Sequence, residues 1–193
     1  MKKKPYSPYN RFPDAVLKKI LYITGATTLA ITVIFNILDR SLVTPELDVP
    51  DGMIAFELTN NLHTARLMID SWGTYGKLTA AFSLGLDYLY LVVYSLFLGI
   101  AAYMTGKKLS NRSFLFSKTG YHLSWMILLA ALFDSIENFA LYRILIGCQH
   151  KIWASTAFYF ATIKFTIVLV TLLYLLIGLI MITLSNRSKN QLA

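Results

Sequence analysis

Apolar residues run along this chain in four long blocks, at about residues 20–38, 78–105, 121–143 and 153–184, separated by more polar stretches. Each block has at least the roughly 20 residues a helix needs to cross about 30 Å of hydrocarbon. The second and fourth are longer than that and are expected to tilt or project beyond the bilayer. The pattern predicts an all-α, polytopic bundle of four transmembrane helices, with 20–184 as one membrane domain. Residues 1–19 are expected to form a cytoplasmic arm, rich in basic and aromatic residues, and 185–193 a cytoplasmic tail.

Polar positions inside and between the blocks refine this picture. In the first, Thr28, Thr32 and Asn36 recur at steps of four with Asp39 one turn on, so one helical face is polar and should look into the bundle. In the first link, Pro45 and Pro50 interrupt the chain and Asp51 is a candidate N-cap. Ile54, Leu58, Leu62, Ala65 and Trp72 then recur at helical spacing, which predicts an amphipathic helix over about 52–72, ended by Gly73 and Gly76. It is expected either to lie in the outer interface or to fold across the bundle mouth as a lid, with Glu57, His63 and Arg66 as lid candidates. Before the first block, Pro5, Pro8 and Pro13 oppose a continuous helix while Tyr6, Tyr9 and Phe12 suit the head-group layer. That segment is expected to lie on the membrane surface or to be a disordered tail.

Composition agrees with a membrane protein. The 193 residues are 56% hydrophobic and 15% charged, with mean hydropathy +0.56, where a soluble domain carries about a quarter charged residues. The net charge of +8 is distributed unevenly. Lys2, Lys3, Lys4, Arg11, Lys18 and Lys19 precede the first block, and Lys107, Lys108, Arg112 and Lys118 fill the second link. Arg187 and Lys189 follow the fourth block, whereas the first link holds Asp39, Glu46, Asp48, Asp51, Glu57 and Asp70. This places both termini in the cytoplasm, across a plasma membrane or a bacterial inner membrane. It also makes anionic lipid head groups, rather than nucleic acid, the partner of the basic segments. The first block is too long for a cleaved leader and lacks a small-x-small site after it, so it is expected to be retained.

Cys148 has no second cysteine for a disulfide or a CxxC pair, and is expected to be inert. Asn111-Arg112-Ser113 and Asn186-Arg187-Ser188 match the glycosylation pattern but fall on the expected cytoplasmic side.

The candidate chemistry lies inside the apolar blocks. Asp87 is about nine residues, or about 13 Å, into the second, and Lys164 about eleven residues, or about 16 Å, into the fourth. Asp134 and Glu137 lie about 9–14 Å from the outer end of the third. All four therefore fall in the outer half of the membrane. An aspartate or lysine at mid-membrane costs about 2.5–3.5 kcal/mol, while each Leu, Ile or Phe returns only about 0.3–0.6 kcal/mol. Pairing is nearly obligatory. Three carboxylates against one lysine leave an acid excess, so at least one acid is expected to hold its proton. Asp134, Glu137 and Asn138 share a helical face that continues to Tyr142, and Ser83, Asp87, Tyr90 and Tyr94 share another. The expected site is an outward-facing polar pocket of Asp87, Asp134, Glu137, Asn138, Lys164, Tyr90, Tyr94 and Asn36.

Other chemistry finds no motif. His63, His122 and His150 do not stand at metal-ligand spacing with the acids, so no metal is expected. Neither a nucleophile elbow nor a phosphate-binding loop occurs, so no cofactor is expected and catalytic residues are not assigned. The flanks of Asp87 and Asp134 do not match, which gives no support to an inverted-repeat transporter. Three functions remain open: binding or transfer of a lipid-like or small organic molecule, acid–base catalysis on such a substrate, and an accessory subunit whose charges pair with a protein partner.

Overall fold

Proline 13 sets the start of the first long helix. Its φ of −61° leads directly into α1 (Asp14–Asp39), and Asp14 stands in the first turn, where a negative charge is favoured. The computed structural model describes residues 6–43 and 51–190, with side chains through residue 184. Lys2, Lys3, Lys4, Pro5, Pro45, Glu46, Asp48 and Pro50, and the side chains of Arg187 and Lys189, lie outside the described residues. The helices that follow are α2 (Gly52–Glu57), α3 (Leu62–Ser71), α4 (Gly73–Lys108), α5 (Phe114–Leu145) and α6 (Ile152–Asn190). Short 3-10 turns span Pro8–Arg11 and Arg40–Leu42. Four of the helices are long and apolar enough to cross a membrane. α6 carries helix to Asn190, into the segment expected to be a tail.

α4 is the hub. α1 packs on one side of it, α5 on the other, and α6 packs on α5 and more lightly on α4, leaving α1 and α6 flanking α4 with little mutual contact. α5 is the least apolar of the four, and half of its apolar window is covered by neighbours, against 11% for α1. The helix with two acids is thus the one most enclosed by protein, as the cost of exposing charge to lipid requires.

Three details differ from the sequence expectation. First, the amphipathic segment is two helices and not one: Asn61 accepts hydrogen bonds from the His63 and Thr64 N–H groups and starts α3 afresh. Thr59, Asn60 and Asn61 favour such local side-chain bonds over a helix interior. Second, the chain turns at Gly73, whose φ of +60° suits glycine, but Gly76 lies inside α4, where a Cβ would collide with Trp72. Third, part of the arm is buried. The Ser7 hydroxyl lies 2.8 Å from that of Ser124, and the Tyr9 ring fills a slot over Gly99 beside Tyr103. α1 consequently begins at Asp14, and Asp14 pairs with Lys107 at 2.5 Å.

At the other end α2 and α3 fold onto the bundle. Phe56, Met68 and Trp72 are buried with Leu42 against Ala80, Leu84, Leu141 and Ala157. Small residues on α4 and α6 let the two short helices approach. This packing brings α2 over the space between α1 and α6.

Candidate functional site

Helix spacing alone puts Asp134, Glu137 and Asn138 on one face of α5, and all three are buried, at 2%, 0% and 1% exposure. Tyr142, expected to continue that face, is instead exposed at 48%, and the buried face runs on through Leu141 and Ile144. Across from the acids, α6 presents Lys164. Its Nζ lies 2.7 Å from Asp134 Oδ1, 2.9 Å from Glu137 Oε2 and 3.0 Å from Glu137 Oε1. A third carboxylate comes from α2: Glu57 Oε2 is 3.3 Å from the same ammonium. The place that a cation would take among these acids is occupied by Lys164. The Phe165 ring lies 4.8 Å from that nitrogen.

α4 supplies the adjoining wall. The Tyr94 hydroxyl donates to Asp134 Oδ2 at 2.9 Å, and Asp87 accepts a hydrogen bond from the Asn138 amide. Tyr90 is 3.1 Å from the Thr32 hydroxyl of α1, and Asn36 donates to the Thr32 carbonyl at 2.8 Å. These groups face a cavity of about 410 Å³ between α1 and α6, floored by α4 and roofed by Met53, Ile54 and Glu57 of α2. Asn36 and Leu172, both exposed, mark its opening between the two flanking helices. The cavity has two chemically distinct ends. Asp39, Asn36, Glu57, Asp87 and Lys164 stand near the roof, whereas Phe97, Leu98, Val168 and Leu172 line the far end. There the Phe97 ring lies against Gly25, closing the gap between α1 and α4. Thr28 also lines this region, and its buried hydroxyl has no hydrogen-bond partner among the described residues.

The roof depends on Asp39. Asp51 stands at the N-cap position of α2, as expected, but the side chain that accepts the Met53 N–H is Asp39, at 2.7 Å. Gly52, at φ +82°, leaves room for that carboxylate; a Cβ there would come within 2.8 Å of it.

Of the residues singled out from the sequence, Asp87, Asp134, Asn138, Lys164, Tyr90, Tyr94 and Asn36 line the cavity, and Glu137 lies behind it on Lys164. The three lid candidates separate. Glu57 reaches the ion cluster, His63 is exposed, and Arg66 bonds the Gly147 and Cys148 carbonyls at 3.3 Å each. Sequence reasoning missed the apolar wall. Phe97 and Leu98 continue the Asp87–Tyr90–Tyr94 face at helical steps, a signal that polarity alone had hidden. Comparison with protein-family models, curated proteins and solved structures finds no match.

Proposed function

We propose that this chain is a multi-pass membrane protein that binds or transfers a lipid-like or small organic molecule in the cavity between α1 and α6. Both termini lie in the cytoplasm and α2 and α3 face outside. Orientation rests on charge: Lys18, Lys19, Lys107, Lys108 and Lys118 gather at one end of the bundle, and Asp39, Glu57 and Asp70 at the other.

The observation that carries this reading is the cavity's gradient from an ion cluster under α2 to a hydrocarbon wall deeper down. Ligand sites are typically concave and apolar with a few converging polar groups that fix orientation. A volume of about 410 Å³ falls in the usual range for such sites. Gluing helices together needs ion pairs; it does not need a cavity beside them. An opening between α1 and α6 suits a molecule already dissolved in the bilayer, which can slide in sideways with its polar end toward the roof.

The test is to purify the protein in mild detergent and identify, by mass spectrometry of organic extracts, what leaves with it. The wild type is expected to retain one species near one-to-one. Val168→Phe, which adds bulk to the apolar wall without touching the ion cluster, is expected to lose it. Equal recovery from both proteins, or no retained molecule from the wild type, would contradict the reading.

A further inference from the structure

We propose that the molecule held in this cavity is an amphiphile whose head is a protonated amine seated on Asp87. This rests on the cavity being a ligand site, as argued above, and adds the chemistry of the head group.

The cavity wall carries Asp39, Glu57, Asp87 and Asp134 but, among the described residues, only one cation, Lys164. That cation is already engaged by Asp134, Glu137 and Glu57. Asp39 is directed to the α2 backbone. Asp87 is different. It is half-buried on the cavity wall, held by the buried amide of Asn138, and has no cation within ion-pair distance among the described residues. One turn further along α4 stands Tyr90, with Phe35 edge-on at 5.2 Å, so two packed aromatic rings line the same cavity as this carboxylate.

A carboxylate that shares a cavity with aromatic rings is an arrangement that recognises an alkylammonium, by a charge-assisted hydrogen bond and ring-face attraction. An anionic head would meet a wall of acids. A neutral hydroxyl would leave the acid excess of the wall as it stands, whereas an ammonium offsets one negative charge and so favours the ionised form of Asp87. The tail has a matching berth, since Leu98 lies eleven residues beyond Asp87 on the same helix, about 16 Å away.

The experiment uses full-length protein in phosphatidylcholine nanodiscs, with empty discs subtracting simple partitioning. Binding of dodecylamine, dodecanol and dodecanoate is compared at pH 7 by equilibrium dialysis. The amine is expected to bind saturably and at least tenfold more tightly than the alcohol, with the carboxylate weakest. Asp87→Asn, which still accepts from Asn138, is expected to bring the amine down to the level of the alcohol. Val168→Phe should weaken both. Equal binding of amine and alcohol, or preference for the carboxylate, would overturn the head-group assignment while leaving the ligand site standing. Amine selectivity that survives Asp87→Asn would overturn the placement on Asp87. Saturable binding of none of the three would overturn both readings. The comparison of the three head groups uses the native chain, so it decides the charge preference even if a variant fails to fold.

Discussion

Lys164 holds a position that its neighbours cannot do without. Removing it leaves Asp134 and Glu137 buried with no counter-charge, and breaking a buried pair from one side costs about 3–5 kcal/mol. Lys164→Met is therefore expected to lower the melting temperature in detergent sharply, whereas Lys164→Met combined with Glu137→Gln should recover part of the loss. A double variant no better than the single would mean that the carboxylate is not paired as described. At the opposite end, Tyr9 makes a contrasting case. Its hydroxyl is buried over Gly99 with no hydrogen-bond partner among the described residues, and burial pushes the phenol up to about 12, from an ordinary value of about 10. Because the folded state keeps this proton longer than the unfolded chain, stability is expected to fall as pH rises from about 10 to about 12, and not below. Tyr9→Phe should abolish that part of the loss and leave neutral-pH stability unchanged or raised by up to about 1 kcal/mol. Urea or thermal unfolding of both proteins across this pH range checks the sign.

Among the elements, α2 is the most delicate and the most consequential. Six residues cannot hold a helix in water by themselves. It persists because Phe56 is buried, Asp39 accepts the Met53 N–H in its first turn, and Glu57 reaches Lys164. Asp39→Ala is expected to cost about 1 kcal/mol locally and to speed hydrogen exchange over residues 52–57, with α4 and α5 unaffected. Unchanged exchange there would show that the roof is held some other way. The sequence announces the long helices because hydrocarbon thickness sets their length, and depth arithmetic puts Asp87, Asp134, Glu137 and Lys164 at one level. It could not announce the break at Thr59–Asn61, where side-chain capping defeats a hydrophobic period that continues through it. Nor could it show the arm: Tyr9 is buried only because Gly99, ninety residues away, leaves a slot for its ring.

For the molecule as a whole, the proposed orientation rests on the charge asymmetry between the two ends of the bundle, and it puts the polar layer below the outer end. Cys148 offers a native probe. The sequence alone marks it as inert, but the Arg143 guanidinium, 3.6 Å from its sulfur, holds the thiol below the ordinary thiol range, which favours reaction at neutral pH. An impermeant maleimide should therefore label Cys148 on intact cells, while a Cys148→Ser, Ser110→Cys variant should label only after permeabilisation. The reverse pattern would invert the topology. Where the sequence fell short at this scale was the shape of the site: periodicity says which residues share a helical face, but not that α1 and α6 stand apart to leave a cavity. That gap is the centre of the account. The most direct measurement is an experimental density map of the protein in a lipid nanodisc, enlarged by a bound antibody fragment. The account predicts Lys164 in ion-pair contact with Asp134 and Glu137, and elongated density between α1 and α6 beneath α2. A map showing α1 closed onto α6, or these side chains turned separately toward lipid, would contradict it.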